Sequence, residues 1–333
     1  MSAAQTTNAV NAVSPPSVPS YVVREINASI TLGQGTFGQT ASNAVTLTGL
    51  RIVANIQKRG LPSMDQASIR IYGLTPALMN QLSTLGVLPT IMARPNNSIT
   101  LQAGDAINGM STVFSGPINR AYQKLGDAPE TFFQLDCWSG FVAAMQPNLI
   151  NPTSTPGPMD VATIMQTLAK AMGFGFENNG VQVKLPPSYY PGTAFQQMQD
   201  IANDANITAY IDSATSPPTL VIAPKGVPRG GQVPLISANS GLILYPEFEQ
   251  WGIAFRCIFN PNIKFLGQVQ INSTLYPPST ATAQSTEAQQ QAAGPNGFWY
   301  IASLNLNLAS QVPDGPWFCE CQGTRTATQP VSA

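Results

Sequence analysis

The chain has 333 residues and a net charge of −1, and only 9% of its residues are charged, against about 25% in an average soluble domain. This length suffices for two or three domains that each bury a core. The scattered Lys and Arg disfavour sequence-specific DNA binding and attraction to anionic lipid. A surface so poor in charge offers little electrostatic repulsion, which indicates contact with partner proteins or further copies.

The residue types present exclude several kinds of chemistry. The chain contains no histidine, which removes histidine-based catalytic triads and nearly every kind of zinc site. No apolar stretch of about 18 residues occurs and the N-terminus lacks a signal-peptide pattern, so we expect cytosolic synthesis and no membrane span. The spacing of the four cysteines predicts reduced, packed thiols and no metal shell. They are Cys137, Cys257, Cys319 and Cys321.

The region 21–150 shows the alternation of a β structure. From Ile26 onward apolar and polar residues alternate, as in half-buried strands. The alternation changes parity at Gly49, which predicts a β-bulge. One helix is predicted from the N-cap Thr75 to the C-terminal Gly86. This region is therefore predicted to be a β-barrel or sandwich with one short helix.

The region 151–230 has a different pattern. A Pro-rich stretch at Asn151–Asp160 marks a boundary. Helical spacing of apolar residues follows from Val161, a hairpin turn is predicted at Asn179–Gly180, and a second helix is predicted near Ala194–Ala205. Two strands complete what we predict to be a small α+β module.

The region 231–333 returns to strands and contains two segments without a periodic pattern. Apolar residues recur at every second position from Phe298 to Leu308, as in a strand with one buried face. The Gln-rich segment 277–295 is predicted to be an inserted loop, and the C-terminal end a tail. The polar residues 1–20 are predicted to form an N-terminal extension without a core. No function is assigned to these segments.

One pair of segments recurs along the chain. Pro117–Gln123 followed by Phe133–Cys137 is similar to Ser303–Ala309 followed by Trp317–Cys321, with a shorter connection in the second copy. If the similarity is a true repeat, the first and third regions are two versions of one barrel.

A G-x-G-x-x-G pattern at Gly33, Gly35 and Gly38 raises the question of a nucleotide site. Such a site needs a helix at the third glycine, because the helix N-terminus binds the pyrophosphate. A strand follows here, and no acid that could bind the ribose lies between Glu25 and Asp65. The pattern therefore predicts a flexible connection between strands.

Two pairs of acidic residues are close enough in sequence to suggest a hydrolase. Asp127 with Glu130, and Glu247 with Glu249, are close in sequence, but solvated acids are the commoner explanation. Stacking on sugars is possible for exposed tryptophans, although packing in the interior or at interfaces is the expectation for all four. They are Trp138, Trp251, Trp299 and Trp317. No catalytic, cofactor-binding or metal-binding residue is predicted, and the chain is not expected to be an enzyme.

Three segments carry a resemblance to a known family. They are ASITLGQGTFGQTASNAVTLTGLRIVANIQKRGLPSMDQASIRIYGL, YYPGTAFQQMQDIANDANITAYID and FWYIASLNLNLASQVPDGPWFCECQGT. In these segments and in the arrangement of its regions, the chain resembles the baseplate hub proteins of tailed bacteriophages, the late-control-D-like family. The resemblance runs from about Tyr21 to Arg325.

The resemblance implies a mainly β protein in which two tail-tube-like β-barrels, 21–150 and 231–333, flank a small LysM-like α+β module at 151–230. It implies a homotrimer in the virion that joins a hexameric tail tube to a trimeric spike or tip. Other baseplate proteins and the tape measure protein are further expected partners. DNA would pass through the central channel without sequence-specific binding.

Two other functions fit the same regions. A virion-associated protein that binds or degrades the cell wall would use the middle module to hold peptidoglycan. A plain tail-tube protein would need one barrel and not two.

Overall fold

Seven strands and one helix form the N-terminal part of the protein, in a computed structural model that describes residues 22–37, 42–83, 96–125, 131–145, 150–249, 252–273 and 296–325. The strands are β1 (Arg24–Thr31), β2 (Ala44–Leu47), β3 (Ile52–Lys58), β4 (Gln66–Tyr72), β5 (Ser98–Asp105), β6 (Gly109–Leu125) and β7 (Thr131–Trp138). Helix α1 (Pro76–Leu82) begins at Thr75, whose hydroxyl accepts a hydrogen bond from the Leu78 amide at 3.4 Å. The helix ends at Leu82, and the predicted end at Gly86 lies outside the described residues.

Three helices and seven short strands form the middle region. They are α2 (Phe141–Met145), β8 (Thr153–Thr155), β9 (Met159–Asp160), α3 (Val161–Ala171), β10 (Gly175–Asn178), β11 (Lys184–Leu185), β12 (Ser188–Tyr190), α4 (Ala194–Asp204), β13 (Ile207–Asp212) and β14 (Thr219–Pro224). The apolar faces of α3 and α4 pack into a hydrophobic cluster that belongs to this region. The two predicted helices are therefore present, as amphipathic helices with one buried face.

Six strands and a 3₁₀ turn at Ala238–Ser240 form the C-terminal part. The strands are β15 (Leu235–Ser237), β16 (Leu242–Glu249), β17 (Gly252–Ile258), β18 (Gln268–Asn272), β19 (Gly297–Ala309) and β20 (Trp317–Arg325). The alternation predicted at 298–308 is confirmed in the second half of β19, where the leucines at 304, 306 and 308 are buried. In the first half it is wrong, because the register shifts between Ile301 and Ser303, so that Trp299 and Ile301 are buried and Ala302 is exposed.

The N-terminal and C-terminal strands join in one sheet of 13 strands. Its order is β16-β17-β20-β19-β3-β4-β7-β6-β5-β1-β2, with β18 beside β19 and β15 beside β18. The two parts meet where β19 pairs antiparallel with β3, from Leu304 opposite Lys58 to Ala309 opposite Val53. The sheet is therefore continuous across residues that are about 250 positions apart in sequence.

The same strand arrangement occurs twice in this sheet. Strands β3 to β7 are ordered β3-β4-β7-β6-β5, and strands β16 to β20 are ordered β16-β17-β20-β19-β18. We call these groups the first unit and the second unit. The two segments of the sequence repeat lie on equivalent hairpins, β6 with β7 and β19 with β20. The repeat in sequence thus coincides with a repeat in topology.

One face of the sheet forms the main hydrophobic core. Successive strand residues point to opposite faces, and in β3 the fully buried Ile52 and Ile56 alternate with half-buried polar residues. The core contains buried residues from both units, and Tyr210 and Val221 of the middle region join the same cluster. The middle region is therefore packed on the sheet by shared apolar contacts.

Two expectations from the sequence need correction. The parity change at Gly49 is not a β-bulge: β2 pairs with β1, while β3 pairs with β4 and β19, so the chain changes neighbours there. Gly49 adopts a left-handed φ of 69° at this break. The described strands also do not close into a barrel, because the sheet has open ends at β2 and β16.

The turn at Asn179–Gly180 is real, but it does not join a hairpin. Gly180 has a φ of 89°, and the Asn178 side chain accepts a hydrogen bond from the Val181 amide at 2.8 Å. The strand before the turn, β10, pairs in parallel with β14, whereas β11 after it pairs with β9. The local turn signal was correct, and the pairing partners were decided by long-range packing.

The N-terminus of α4 gives a first testable prediction. The Thr193 hydroxyl accepts from the Gln196 amide at 3.3 Å, and the Gln196 side chain accepts from the Thr193 amide at 3.0 Å. Replacing Thr193 by alanine removes half of this capping box and should lower the free energy of unfolding by about 1 kcal/mol. Urea unfolding measures the change, with Thr167→Ala on the exposed side of α3 as control. Equal effects of the two substitutions would contradict the capping role.

Candidate functional site

A band of polar side chains crosses the sheet on the face opposite the core. Directly opposed residues of an antiparallel pair point to the same face, so the register places polar residues of both units side by side. We call this band the polar face. Its members include Ser68, Arg120, Gln134, Asp136, Asn55, Gln57, Asn305, Asn307, Glu320, Gln322, Arg256 and Glu249.

Hydrogen bonds between side chains run along the polar face and across the boundary of the two units. The Asn55 amide donates to the Asn307 carbonyl oxygen at 2.6 Å, and the Asn307 amide donates to Glu320 at 3.2 Å. In the first unit, Gln134 donates to the Ser68 hydroxyl at 2.8 Å. The polar face is therefore a hydrogen-bonded surface shared by both units.

Two arginines of the polar face are paired with nearby carboxylates. Arg120 lies 2.9 Å from Asp136 in the first unit, and Arg256 lies 2.6 Å from Glu320 in the second. Neutralised cations contribute little to binding a phosphate backbone, since that binding depends on released counterions. This surface is hydrophilic, and two of its arginines are paired with acids. Arg70, opposite Gln134, and Lys124, opposite Phe132, are also exposed on this face, and Arg70 lies over the Phe132 ring.

The outer edge of β16 ends the sheet on the side of the second unit. Among the described strands, β16 pairs with β17 alone, and the register shifts between Ile243 and Glu247. Leu244 lies in this shift with a φ of 62°, a conformation that is costly for a branched side chain, and it is 77% exposed. Tyr245 and Phe248 are also exposed. A bulge interrupts regular strand pairing at an edge, whereas apolar side chains exposed together are a feature of a contact surface.

A buried cluster of charges fixes the middle region to the sheet. Lys58, at the end of β3, donates to the Ser213 hydroxyl at 2.7 Å and lies 3.3 Å from Asp65 and 3.7 Å from Asp212. The Asp65 carboxylate accepts from both the amide and the hydroxyl of Ser213. Lys58 and Asp65 are almost completely buried. The contacts join β3 and its following loop to the end of β13.

Arg229 extends this cluster within and beyond the middle region. Its guanidinium binds Asp212 at 2.6 Å and both oxygens of Glu177, at 2.8 Å and 2.5 Å. A planar guanidinium matches a carboxylate in this two-contact geometry. Arg229 follows β14 in the chain, so it links the exit of the middle region to β10 and β13. We call the five charged residues Lys58, Asp65, Glu177, Asp212 and Arg229 the charge cluster.

The pKa values of the acids follow from this arrangement. Burial raises the pKa of Asp65 above its usual value, and the charge of Lys58 opposes that rise only in part. Burial also acts to raise the pKa of Asp212, but the charges of Lys58 and Arg229 outweigh it and hold that pKa low. The hydrogen bond from Arg229 is the main reason why the pKa of Glu177 is lowered.

A cavity of about 360 Å³ lies beside the charge cluster, where the middle region, the two units and the loop after β17 meet. Lys58, Asp212 and Arg229 line it together with the apolar Phe259 and Leu304. The charged groups there already bind one another. In the described part of the chain, no three Cys, Asp or Glu residues are grouped as metal ligands would be.

The structure separates the candidate residues of the sequence. Gly33 and Gly35 lie in the β1–β2 connection, where the Leu32 amide binds the Asn43 carbonyl, and β1 pairs antiparallel with β2. The predicted connection between strands is confirmed there, and Gly38 lies outside the described residues. The acids Asp127 and Glu130 also lie outside them.

The second acidic pair and the aromatic candidates have ordinary structural positions. Glu247 and Glu249 are exposed on β16, and Glu249 accepts from Gln322 at 3.3 Å. Trp299 and Trp317 are buried, Trp138 is 37% exposed beside Phe141, and Trp251 lies outside the described residues. All four cysteines are buried free thiols, as predicted, and burial raises the pKa of Cys137.

The charge cluster was missed by the sequence analysis, although one signal was present. Lys58 lies two residues after the buried Ile56 in β3, so its side chain points to the buried face of the strand. A lysine at such a position is rarely buried unless it is paired. Its partners could not be predicted from the sequence, because Asp65 follows in the next loop and Asp212 is far away along the chain.

The described helices include none that is both long enough and apolar enough to span a membrane. A search among curated proteins found no match. The family model described as Baseplate hub gp41 matches residues 26–282.

Solved structures show the same fold at low sequence identity. The tail protein from Neisseria meningitidis MC58 superposes with a TM-score of 0.55 at 10% identity, over 90% of this chain and 96% of that one. The 43 kDa tail protein of prophage MuSo2 from Shewanella oneidensis gives 0.53 at 9%, over 91% and 98%. The E. coli c3393 protein gives 0.53 at 7%, over 89% and 76%.

The c3393 protein is described as a component of the type VI secretion system with structural similarity to the T4 bacteriophage tail proteins gp27 and gp5. Identities this low establish a shared fold. The family match covers most of the 333 residues, and the chain therefore belongs to the baseplate hub gp41 family, as a structural component of a phage tail baseplate.

Proposed function

We propose that three copies of the chain form a ring that joins a six-fold tail tube to a three-fold spike or tip. The observation that supports this most is the repeated strand order of the two units. Three chains with two equivalent units each present six similar units around one axis. Such a ring matches a hexamer on one side while each whole chain keeps the three-fold symmetry that a trimeric partner needs.

The same proposal assigns a role to each region. Residues 21–150 and 231–333 form the two tube-like barrel domains, each built around one unit, and the assembly of copies supplies the closure that a single chain lacks. Residues 151–230 form the LysM-like module, held on the sheet by the charge cluster. Residues 1–20 form an extension toward partner proteins. Other baseplate proteins and the tape measure protein are proposed as further contacts.

In this ring the polar face lines the central channel. Amide and carboxylate side chains make a wet surface, and arginines such as Arg120 and Arg256 are already paired with acids. DNA would pass over such a surface with little retention, because pairing with acids reduces the positive charge that Arg120 and Arg256 offer to its phosphates. The proposed role is structural and without catalysis, in a virion assembled in the bacterial host cytoplasm.

Native mass spectrometry of the purified chain, alone and with its candidate tube and spike proteins, tests the proposal. We expect a trimer of about 106 kDa, three times the 35.3 kDa of one chain, and a larger complex when a trimeric spike protein is added. A monomer in every mixture would overturn the ring. Retention of that monomer on purified peptidoglycan would instead support the alternative, a tail protein that binds the cell wall.

A further inference from the structure

The two units correspond strand by strand, and this correspondence includes the edges of the sheet. The first unit begins with β3 and the second with β16. Within the chain, the outer edge of β3 is covered by β19 of the second unit. The outer edge of β16 is the equivalent edge, and no strand in the described part of the chain lies beside it. The strand equivalent to β19 in the first unit is β6.

The correspondence extends to single residues of the two hairpins. Arg120 lies opposite Asp136 in the first unit, as Asn305 lies opposite Glu320 in the second. The two acids occupy the same place in the repeated segments of the sequence, one residue before Cys137 and Cys321. Arg120 therefore corresponds to Asn305.

The same correspondence relates β3 to β16. Gln57 lies opposite Gln66, which in turn lies opposite Trp138, two residues after Asp136. In the second unit, Glu247 lies opposite Ala254, which in turn lies opposite Gln322, two residues after Glu320. Glu247 therefore corresponds to Gln57.

We propose that β16 of one copy lies antiparallel beside the second half of β6 of the next copy, with Glu247 facing Arg120. Within the chain, Gln57 lies opposite Asn305, and the equivalent residues give this contact between copies. The inference rests on the proposed trimer and specifies its contact surface. The same type of contact then relates all neighbouring units, as a closed ring of six units in three chains requires.

Charge and shape on the two strands agree with this contact. Glu247 is exposed on β16, and the Arg120 side chain is 58% exposed although it binds Asp136. A guanidinium has five donors, so Arg120 can bind a second carboxylate. The exposed Leu244 and Tyr245 of the bulge add apolar surface to the same edge. Opposite charges that meet across a contact also fix its register.

Helix α1 borders the contact on the side of the first unit. The Ser83 hydroxyl, just after this helix, lies 3.4 Å from the Ala121 carbonyl oxygen of β6. The end of α1 therefore lies next to Arg120 on β6 and would border the incoming β16.

Cross-linking between two single-cysteine variants tests the placement. Arg120→Cys and Glu247→Cys are co-expressed, purified and treated with a short bismaleimide, and the native cysteines are buried. We expect the denaturing-gel band to shift from 35.3 kDa to the mass of a covalent dimer. Each variant alone should stay monomeric on that gel, because the contact joins two different surfaces. Lys170→Cys, on the exposed side of α3, replaces Glu247→Cys in the control mixture and should give no dimer.

Native mass spectrometry of the same samples separates the two possible failures. A trimer that gives no more covalent dimer than the control mixture would overturn the strand placement and leave the proposed function intact. Absence of the trimer in the unchanged protein would overturn the proposed function and, with it, this contact.

Discussion

Replacing Lys58 by methionine is expected to lower the free energy of unfolding by about 3–5 kcal/mol at neutral pH. The substitution keeps most of the side-chain volume but removes the cation that lies 3.3 Å from Asp65. The buried carboxylates Asp65 and Asp212 would then lie close together without the positive charge of Lys58. A buried carboxylate that loses its partner costs far more than the pair contributed.

The loss should shrink as the pH falls. In the Lys58→Met variant the positive charge that lowers the pKa of Asp65 is absent. The effect of burial then raises this pKa further above its usual value. A carboxyl whose pKa is higher in the folded than in the unfolded state holds its proton more tightly when folded, so acid favours the folded state. The difference in free energy of unfolding between the variant and the unchanged protein is therefore largest at neutral pH. It becomes smaller as the pH falls through the pKa of Asp65 in the folded variant.

Urea unfolding at several pH values measures both effects. Arg256→Met is the matched control, because the Arg256–Glu320 pair is exposed and should contribute at most about 1 kcal/mol. Adding Asp65→Asn to Lys58→Met should recover part of the stability by removing the uncompensated charge. If Lys58→Met cost no more than Arg256→Met, the charge cluster would not hold the middle region on the sheet.

Local features of this fold could be predicted from the sequence. Alternating apolar residues predicted strands, and the N-cap Thr75 predicted the start of α1. Each of these signals depends only on residues that are close in sequence. The repeated hairpin segments also pointed to two related units. These features need no knowledge of distant neighbours.

The assembly of the sheet could not be predicted in the same way. The pairing of β19 with β3 brings Asn307 beside Asn55, and no short-range pattern encodes that contact. The parallel pairing of β10 with β14 depended on packing of α3 and α4 and not on the turn at Gly180. The charge cluster had a visible member, Lys58, whose partners only the fold brings together.

Replacing Tyr210 by alanine is expected to lower the free energy of unfolding by about 3–5 kcal/mol. The Tyr210 ring is 2% exposed and lies edge-on to the Phe265 ring at 5.1 Å, and its hydroxyl donates to the Phe265 carbonyl oxygen at 3.2 Å. Tyr210 lies on β13 of the middle region but belongs to the main core of the sheet. The substitution would leave a cavity at the place where the two cores meet.

Two further variants separate packing from the hydrogen bond. Tyr210→Phe keeps the ring and should cost about 1 kcal/mol, because the Phe265 carbonyl oxygen loses one buried donor. Tyr189→Ala, at a ring that is 63% exposed, should change stability by about 0.5 kcal/mol or less. Urea unfolding gives the three values, and limited proteolysis should cut Tyr210→Ala fastest near the ends of the middle region. Equal losses for Tyr210→Ala and Tyr189→Ala would show that the middle region does not depend on the sheet for its stability.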